Sequence, residues 1–200
     1  MATVNLFPNG TDSNNWDIVG SAGSVHASLA DSSISNRVRT TVDSEYFTVT
    51  LDNLDSAGLN IDTIDSIQVH MIADCEHRAQ TAEYRVYLLD GNNSDTALYT
   101  ENIPNINTSG AAGIDYPWTL RTTSDGSSAW TDSDIDGLKL KVLMYDNPSS
   151  GEANVIYMYL TVTYTVAVTP LGPTYTSDDN IIIKNGLIEL KNGIIEIKGP

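Results

Sequence analysis

Residues 130–166, W-T-D-S-D-I-D-G-L-K-L-K-V-L-M-Y-D-N-P-S-S-G-E-A-N-V-I-Y-M-Y-L-T-V-T-Y-T-V, decide the fold of this 200-residue chain. In the first half, apolar residues at even positions alternate with Lys139 and Lys141, which is the period-two pattern of a strand with one buried face. The even positions from Ile156 to Val166 repeat the pattern, and the Asn-Pro and Ser-Ser-Gly between the halves are turn residues. The stretch predicts two neighbouring antiparallel strands, whose inner face a second layer must cover. The residues predicted to face that core are Leu138, Leu140, Val142, Met144, Ile156, Met158, Leu160, Val162, Tyr164 and Val166.

The remainder of the chain is a series of short strand-like runs separated by turn-rich gaps, and none of it shows a sustained helical period. In the run from Ser66 to Ala73, the odd positions are apolar, and Gln68 and His70 lie between them. About ten strands at this spacing predict an all-β fold, an antiparallel β-sandwich of the jelly-roll-like type. The predicted strands are Thr3–Phe7, Trp16–Val19, Arg37–Thr41, Tyr46–Leu51, Ser66–Ala73, Glu83–Leu89, Ala97–Glu101, Pro117–Thr122, Leu138–Tyr145 and Asn154–Val166.

Composition and charge exclude several classes of function. The chain carries 26 acidic and 10 basic residues, a formal net charge of −16 at pH 7, which repels nucleic-acid phosphates and anionic membranes. Its first residues lack the basic and apolar segments of a signal peptide, and no apolar run has the length of a membrane span. The single cysteine excludes an intrachain disulfide. We therefore expect a protein made in a cytoplasm, with no nucleic-acid partner and no membrane partner.

The last part of the chain changes character after Thr169. Residues 169–173, T-P-L-G-P, break the preceding strand because proline cannot donate to a ladder. Residues 185–191, N-G-L-I-E-L-K, are repeated almost unchanged at 192–198, N-G-I-I-E-I-K, and Asn-Gly is a strong hairpin signal. The sequence thus predicts a β-sandwich domain at 1–168, a linker at 169–180 and a C-terminal β-hairpin repeat at 181–200. The strands predicted in this repeat are Ile181–Lys184, Leu187–Lys191 and Ile194–Lys198.

Such a short β unit has more large apolar side chains than it can bury by itself. We expect it to serve in assembly or docking, either by forming a homotrimer with its copies or by strand addition to another protein. The alternative is that the tail folds back on its own sandwich. The residues predicted to form the assembly interface are Ile181, Ile182, Ile183, Leu187, Ile188, Leu190, Ile194, Ile195 and Ile197.

The acidic loop at 132–137, D-S-D-I-D-G, imitates the start of a calcium-binding loop, in which oxygen ligands at alternating positions precede a glycine turn. Leu143 stands at position twelve, where such a loop carries a bidentate glutamate. The competing interpretation is a helical turn, with Thr131 as N-cap, Asp134 at position N3 and carboxylates favourably placed against the helix dipole. We favour the helical turn, and we expect no metal and no other cofactor.

Other chemical motifs are few. Cys75 and His77 could lie on one strand face as zinc ligands, with His70 nearby, but a fourth ligand is missing and a single cysteine is usually buried. Together with His26, these histidines form no catalytic motif, and no nucleophile elbow or phosphate-binding glycine loop occurs. We expect a protein that is not an enzyme.

Aromatic residues are the remaining candidates for a binding site. Trp16, Trp118, Trp130 and the ten tyrosines could form a platform on which sugar rings stack. Aromatic side chains are also common in the cores and on the sheet faces of sandwiches, and we favour this structural role for the set.

Four segments carry a resemblance to a known family. They are N-L-F-P-N-G at 5–10 together with Trp16, D-S-I-Q-V-H-M-I-A-D at 65–74, P-W-T-L-R-T-T-S-D-G-S-S-A-W-T-D-S-D-I-D-G-L-K-L-K-V at 117–142, and V-I-Y-M-Y-L-T-V-T-Y at 155–164. They resemble β-sandwich domains encoded among the structural genes of tailed bacteriophages, and the resemblance spans residues 3–166. It implies a jelly-roll-like module displayed on a virion, as a head decoration, a fibre protein or part of a tail appendage. It carries over no catalytic residue, and it does not include the C-terminal repeat.

We therefore expect a virion structural protein, a capsid decoration or head-fibre component assembled in the host cytoplasm. Its sandwich would face outward, and its tail would trimerise or dock on other virion proteins. The acidic charge is consistent with an exterior surface kept away from packaged DNA. The alternative from a different class is a carbohydrate-binding module on a phage appendage, whose aromatic residues contact host glycans; an enzyme comes third.

Overall fold

The computed structural model describes residues 1–33, 35–54, 57–75, 82–106, 113–146, 152–167, 181–184 and 187–190. The chain divides into two compact units, Met1–Val166 and Ala167–Pro200. The strands of the first unit are β1 (Ala2–Leu6), β2 (Pro8–Asn14), β3 (Asp17–Val19), β4 (Arg37–Thr40), β5 (Tyr46–Leu51), β6 (Ile61–Cys75), β7 (Ala82–Asp90), β8 (Thr96–Ile106), β9 (Ile114–Asp115), β10 (Leu138–Asp146) and β11 (Ala153–Val166). Its helices are α1 (Val25–Ala30) and α2 (Asp132–Asp136), and the second unit contains β12 (Ile181–Lys184) and β13 (Leu187–Leu190). Across the described ranges, no helix is long and apolar enough to cross a membrane.

The strands of the first unit form two antiparallel sheets, named here by their central strands. The β11 sheet has the order β3-β4-β11-β6-β9, with β1 also paired to β11, and the β10 sheet has the order β2-β5-β10-β7-β8. From β4 to β7, and again from β8 to β11, each connection crosses from one sheet to the other, which is the alternation of a jelly roll. The prediction of an all-β antiparallel sandwich of the jelly-roll-like type is therefore confirmed.

The prediction that the two strands of residues 130–166 are neighbours is wrong. Strand β10 lies between β5 and β7, whereas β11 lies in the other sheet, between β6 on one side and β1 and β4 on the other. Alternating apolar residues show that one face of each strand is buried, but they do not show which strand lies alongside. Here the two apolar faces meet across the core between the sheets.

The core has the alternation that the sequence predicts. The even residues from Leu138 to Met144 are at most 2% exposed, and the odd residues from Ile67 to Cys75 are at most 1% exposed. On β11, Met158, Leu160 and Val162 are fully buried. These faces join one hydrophobic cluster between the sheets, which is the largest source of stability for such a sandwich.

Two core predictions on β11 need correction, because the strand is irregular at both ends. A bulge between Val155 and Tyr157 shifts the register, so Val155 is fully buried in the core cluster, whereas Ile156 is buried but lies outside it. The cause is the extra residue of a bulge, which reverses the alternation locally. At the other end, where the register shifts between Thr163 and Tyr164 and again between Thr165 and Val166, Val166 is 49% exposed.

Three further differences have local causes. Strand β2 was not predicted because its sequence, P-N-G-T-D-S-N, is rich in turn residues, and tertiary pairing with β5 overrides that preference. Helix α1 has only six residues behind its Ser24 cap, too few to show a helical period. The predicted strand Pro117–Thr122 is instead a segment that bonds β6 only at Trp118 and Arg121, since proline has no N–H to donate.

The second unit contains a two-stranded antiparallel pair. Strand β12 pairs with β13 in a register that places Ile181 opposite Leu190 and Lys184 opposite Leu187. The first two predicted strands of the repeat are thus confirmed. The linker at 169–180, the third predicted strand and the side chains of the predicted assembly interface, including those of Ile194, Ile195 and Ile197, lie outside the described residues. The assembly role therefore stays a prediction.

Candidate functional site

An aromatic cluster lies on the outer face of the β11 sheet, turned away from the core. It consists of Phe7, His70, Tyr157 and Tyr159, all of them half-buried. Tyr157 and Tyr159 alternate with the buried Met158 on β11, so both point outward. His70 lies opposite Tyr159 on β6. Phe7 directly follows β1, whose last residue, Leu6, pairs with Leu160. Two neighbouring strands, and the residue that follows a third, therefore contribute rings to one patch of surface.

The rings contact one another across the strands. His70 and Tyr159 stack, with centroids 4.5 Å apart and planes at 3°. Tyr157 lies 5.3 Å from Tyr159 at an angle of 47°. Phe7 lies 6.0 Å from Tyr157 and 6.1 Å from Tyr159, and both contacts are tilted. These distances are those of favourable aromatic pairs, so the cluster forms one continuous apolar surface.

Polar side chains surround the aromatic cluster. The Nδ1 of His70 lies 3.0 Å from Oδ2 of Asp115, whose side chain is 43% exposed. Beyond His70 along β6, the Nε2 of Gln68 donates to the backbone oxygen of Trp118 at 2.7 Å. On the other side, the Oγ1 of Thr161 donates to Oδ1 of Asn5 at 2.9 Å. The rim thus combines a carboxylate, amides and a hydroxyl.

The two tyrosine hydroxyls remain protonated well into the alkaline range. Partial burial raises the pKa of Tyr157, and the neighbouring Tyr159 adds to the effect. Partial burial also raises the pKa of Tyr159, with a further contribution from the negative charge of Asp115. At neutral pH both phenols therefore offer an O–H donor to a ligand.

The three tryptophans considered above as a surface on which sugar rings could stack lie in the core. Trp16, Trp118 and Trp130 are 3%, 3% and 4% exposed. Trp16 packs edge-on against Phe47 at 5.1 Å, and the indole N–H of Trp130 donates to the backbone oxygen of Arg121 at 3.2 Å. The structural interpretation of these three residues is confirmed, and only part of the tyrosine set remains at the surface.

The acidic loop forms the capped helical turn. The hydroxyl of Thr131 accepts from the backbone N–H of Asp134, and the carboxylate of Asp134 accepts from the backbone N–H of Thr131 at 2.8 Å, which completes a capping box. The Oδ1 of Asp136 accepts from the backbone N–H of Leu54 at 2.7 Å. Two of the carboxylates proposed as calcium ligands are therefore engaged in holding the turn and its neighbour.

Of the residues considered as zinc ligands, the structure places Cys75 and His70 on opposite faces of β6. Cys75 is fully buried on the inner face of β6, whereas His70 lies on the outer face and stacks on Tyr159. His77 lies outside the described residues. Both ring nitrogens of His26 are within hydrogen-bonding distance of hydroxyls, Nδ1 at 3.0 Å from Thr11 and Nε2 at 3.2 Å from Ser24. Among the described residues, no group of three or more His, Cys, Asp and Glu side chains is arranged to hold a metal.

A polar cleft of about 330 Å³ lies at one end of the β10 sheet. Its lining contains amides and charged groups but no aromatic ring, so it offers a sugar no surface for stacking. The residues lining the cleft are Asn9, Thr50, Leu51, Asn53, Gly91, Asn92, Asp136, Gly137, Leu138 and Lys139.

Comparisons with known proteins show no family for this chain. No protein-family model matches the sequence, and no curated protein sequence matches it. The CBM36-1 domain of a multidomain xylanase from the hindgut metagenome of Trinervitermes trinervoides is 8% identical, with a TM-score of 0.43 over 83% of this chain and 100% of that chain. The xylan-binding module CBM15 is 12% identical, with a TM-score of 0.40 over 82% and 97%.

A third similar structure is the K1 cleaved adhesin domain of Lys-gingipain from Porphyromonas gingivalis W83. It is 14% identical, with a TM-score of 0.40 over 82% of this chain and 99% of that chain. Structural similarities with TM-scores this low give no basis for inferring a ligand. What this chain binds must therefore be inferred from its own side chains.

Sequence reasoning found part of the aromatic cluster. Tyr157 and Tyr159 stand on the odd face of a strand that was correctly predicted, and His70 on the outer face of another. Phe7 and Asp115 carried no usable signal, because their place in the cluster depends on which strands pair. Pairing of distant segments is not encoded in local periodicity.

Proposed function

We propose that this protein is a glycan-binding β-sandwich module and that the aromatic cluster on the β11 sheet is its binding surface. The observation that supports this function best is the position of the four rings, Phe7, His70, Tyr157 and Tyr159, on the outer face of a sheet. The indoles of the same chain are buried, so these rings are not explained by a general exposure of aromatic residues. The proposal includes no catalytic step.

The chemistry of the surface suits neutral sugars. Aromatic rings provide apolar area for the C–H faces of a pyranose, and the phenols, amides and carboxylate at the rim can bond its hydroxyls. The carboxylate of Asp115 contacts His70 at 3.0 Å, and its negative charge disfavours an anionic sugar at this position. The ring contacts across three strands hold the surface in place, which lowers the entropic cost of binding.

Affinity electrophoresis of the full chain through gels containing neutral polysaccharides tests the proposal. We expect at least one such polymer to retard the protein, and Tyr157→Ala and Tyr159→Ala each to weaken its binding about tenfold, the loss expected for a stacking aromatic anchor. Tyr87→Ala on the outer face of the β10 sheet is the matched control and should bind as the unaltered protein does. The proposal is wrong if no neutral polysaccharide binds, or if the β11 variants bind as well as the control.

A second candidate function is that of a capsid decoration or head-fibre component, which would place the module on a virion. Two observations favour it: the resemblance of residues 3–166 to phage β-sandwich domains, and the strand pair β12–β13 in the C-terminal unit. Deleting the residues after Thr169 should leave a folded sandwich that no longer trimerises or no longer binds virus particles. If light scattering shows that the truncated chain assembles with the same number of subunits as the full chain, this role is contradicted.

A further inference from the structure

The outer face of the β10 sheet carries cations above tyrosine rings. The Nζ of Lys141 lies 4.1 Å from the ring centroid of Tyr46 and 5.8 Å from that of Tyr87. The guanidinium carbon of Arg85 lies 3.6 Å from the ring centroid of Tyr145. We call these five residues the cationic face. They occupy three adjacent strands, with Lys141 opposite Tyr87 and Arg85 opposite Leu143 in the ladder between β10 and β7.

Other basic side chains of the protein pair with carboxylates, and the two cations of this face differ from them in this respect. Arg39 lies 2.6 Å from Glu152, and Arg121 lies 3.0 Å from Glu101. Lys139 lies 3.2 Å from Asp12 and 2.8 Å from Asp95. Within the described part of the chain, neither Lys141 nor Arg85 has a carboxylate within 4.0 Å.

This lack of carboxylate partners among the described residues is informative, because acidic residues outnumber basic ones in the chain by 26 to 10. The tyrosine rings hold the two cations by cation–π attraction, which positions a charge without neutralising it. The side chains are only partly buried, so the charges remain available to an anion from solution.

We propose that the cationic face is a second binding site, specific for acidic polysaccharides that carry uronate carboxylates or sulfates. A guanidinium can bind such an anion through two parallel hydrogen bonds, and an ammonium adds a compact positive charge. The rings of Tyr46, Tyr87 and Tyr145 supply apolar surface for the sugar that bears the anion. This proposal goes beyond the neutral-glycan function, because it concerns other residues on the opposite sheet and a different chemical class of ligand.

The chemistry of the face favours a sugar polymer over an acidic protein. Each cation lies on a tyrosine ring, which suits an anion carried on a sugar ring that can stack on the phenol, whereas an aspartate or glutamate side chain carries its carboxylate on a chain without a ring. The net charge of −16 does not prevent binding, because screening limits repulsion to charges within about 8 Å at physiological ionic strength. The local pair of cations therefore decides the interaction with a polyanion.

Affinity electrophoresis of the full chain, with polygalacturonate, dextran sulfate, neutral dextran and poly-glutamate as probes, tests this inference. We expect polygalacturonate or dextran sulfate to retard the protein more strongly than neutral dextran does, and poly-glutamate to bind at least about tenfold more weakly than the acidic polysaccharides. Lys141→Ala and Arg85→Ala should each reduce binding about tenfold, as loss of a hydrogen bond to a charged group does. Lys141→Arg, which keeps the charge, should restore most of it.

Two control variants show whether binding of the polyanion depends on the cationic face. One tests for unspecific electrostatic attraction, and the other tests for a contribution from the aromatic cluster. Arg39→Ala removes the same charge from the β11 sheet and should leave polyanion binding unchanged. Tyr159→Ala removes a ring from the aromatic cluster and should also leave it unchanged, whatever its effect on neutral glycans.

Several outcomes would overturn the inference. An Arg39→Ala variant as impaired as Lys141→Ala would show unspecific attraction. Poly-glutamate binding as tight as that of the acidic polysaccharides would assign the face to acidic peptides. A protein that neither acidic polysaccharide retards would have no such site. Because Lys141 and Arg85 are on the surface, thermal melts of the variants should match that of the unaltered protein, and a matching melt excludes misfolding as the cause of a loss.

Discussion

The imidazole ring of His70 lies parallel to the phenol ring of Tyr159, with centroids 4.5 Å apart. The two residues face each other in the ladder between β6 and β11. On its other side, the Nδ1 of His70 donates to the carboxylate of Asp115 at 3.0 Å, because a carboxylate can only accept. Three strands therefore fix one ring pair, and the aromatic surface exists before any ligand arrives.

Removing the imidazole should weaken both the fold and the site. We expect His70→Ala to lower the free energy of unfolding by about 0.5–1.5 kcal/mol, the usual contribution of an aromatic pair, and to reduce neutral-glycan binding. Thr163→Ala, on the same outer face, is the matched control and should change stability by less than about 0.5 kcal/mol. Urea unfolding measures both variants. Equal stabilities of the two would show that the ring pair contributes nothing.

Truncating the core residues of the two central strands should be costly. Leu140 and Leu160 are fully buried, so we expect Leu140→Ala and Leu160→Ala each to lower the free energy of unfolding by about 2–5 kcal/mol through lost burial and a residual cavity. Chemical denaturation gives the values. A loss below about 0.5 kcal/mol at both positions, typical of surface sites, would contradict the strand register.

The stability of the capped turn before β10 should depend on the two hydrogen bonds of its capping box and not on bound calcium. We expect Thr131→Ala to cost about 0.5–2 kcal/mol, and the double variant with Asp134→Ala to cost less than the sum of the single changes, because the two side chains form one capping box. A chelator should leave the melting temperature unchanged. If chelation lowers it and Asp136→Asn abolishes that response, the calcium hypothesis is correct.

A side chain at position 113, in place of Gly113, should destabilise the fold. The φ of Gly113 is +68°, and a Cβ there would lie 2.7 Å from Cγ2 of Ile72 and 2.8 Å from Cδ1 of Ile156. Gly58 has a similar φ of +62° with open space around the same position. We expect Gly58→Ala to cost about 1–2 kcal/mol for the left-handed backbone, and Gly113→Ala to cost about 1–3 kcal/mol more for overpacking. Thermal or urea unfolding of the pair separates the two effects, and equal losses would refute the close contact.

Stability should fall at alkaline pH because of three tyrosines. Burial raises the pKa of Tyr84 well above its ordinary value of 10.0, and nearby negative charges add to the effect; the pKa values of Tyr157 and Tyr159 are raised too. The folded state then holds protons that the unfolded chain releases, so the free energy of unfolding is unaffected below about pH 10 and decreases as the pH rises above it. Urea midpoints between pH 8 and 11 measure the decrease.

Tyr84→Phe is the variant that isolates the buried phenol. Its hydroxyl donates to the backbone oxygen of Asn154 at 3.3 Å, so the variant should start about 0.5–1.5 kcal/mol less stable at neutral pH. Its stability should then decline less steeply above pH 10. An identical slope in both proteins would mean that Tyr84 does not contribute to the alkaline loss.

Local pattern predicts which face of a strand is buried, and it predicts less about the partner of that strand. The alternation from Leu138 to Met144 gave the correct buried face, since side chains of successive residues point in opposite directions. The same pattern could not show that β10 and β11 lie in different sheets, because both arrangements bury the same residues. The bulge that moves Ile156 out of the core cluster could not be predicted from local alternation, because it belongs to the pairing of β11 with β6. The cationic face was missed for the same reason, because Lys141 and Arg85 lie on β10 and β7, which become neighbours only in the folded sheet.

The position of β10 and β11 in the middle of their sheets has a consequence for how the chain is made. During synthesis, residues 1–137 leave the ribosome before either central strand. Strands β5 and β7 are then exposed without β10, the strand that lies between them, and β6 is exposed without its main partner, β11. A nascent chain of this kind exposes unpaired strand edges and apolar faces, the features that lead to aggregation. The sandwich closes only when residue 166 has emerged, and its long-range pairing makes that step slow relative to folds built from local contacts. Chaperones that cover these edges on the unfinished chain should therefore raise the yield of this protein.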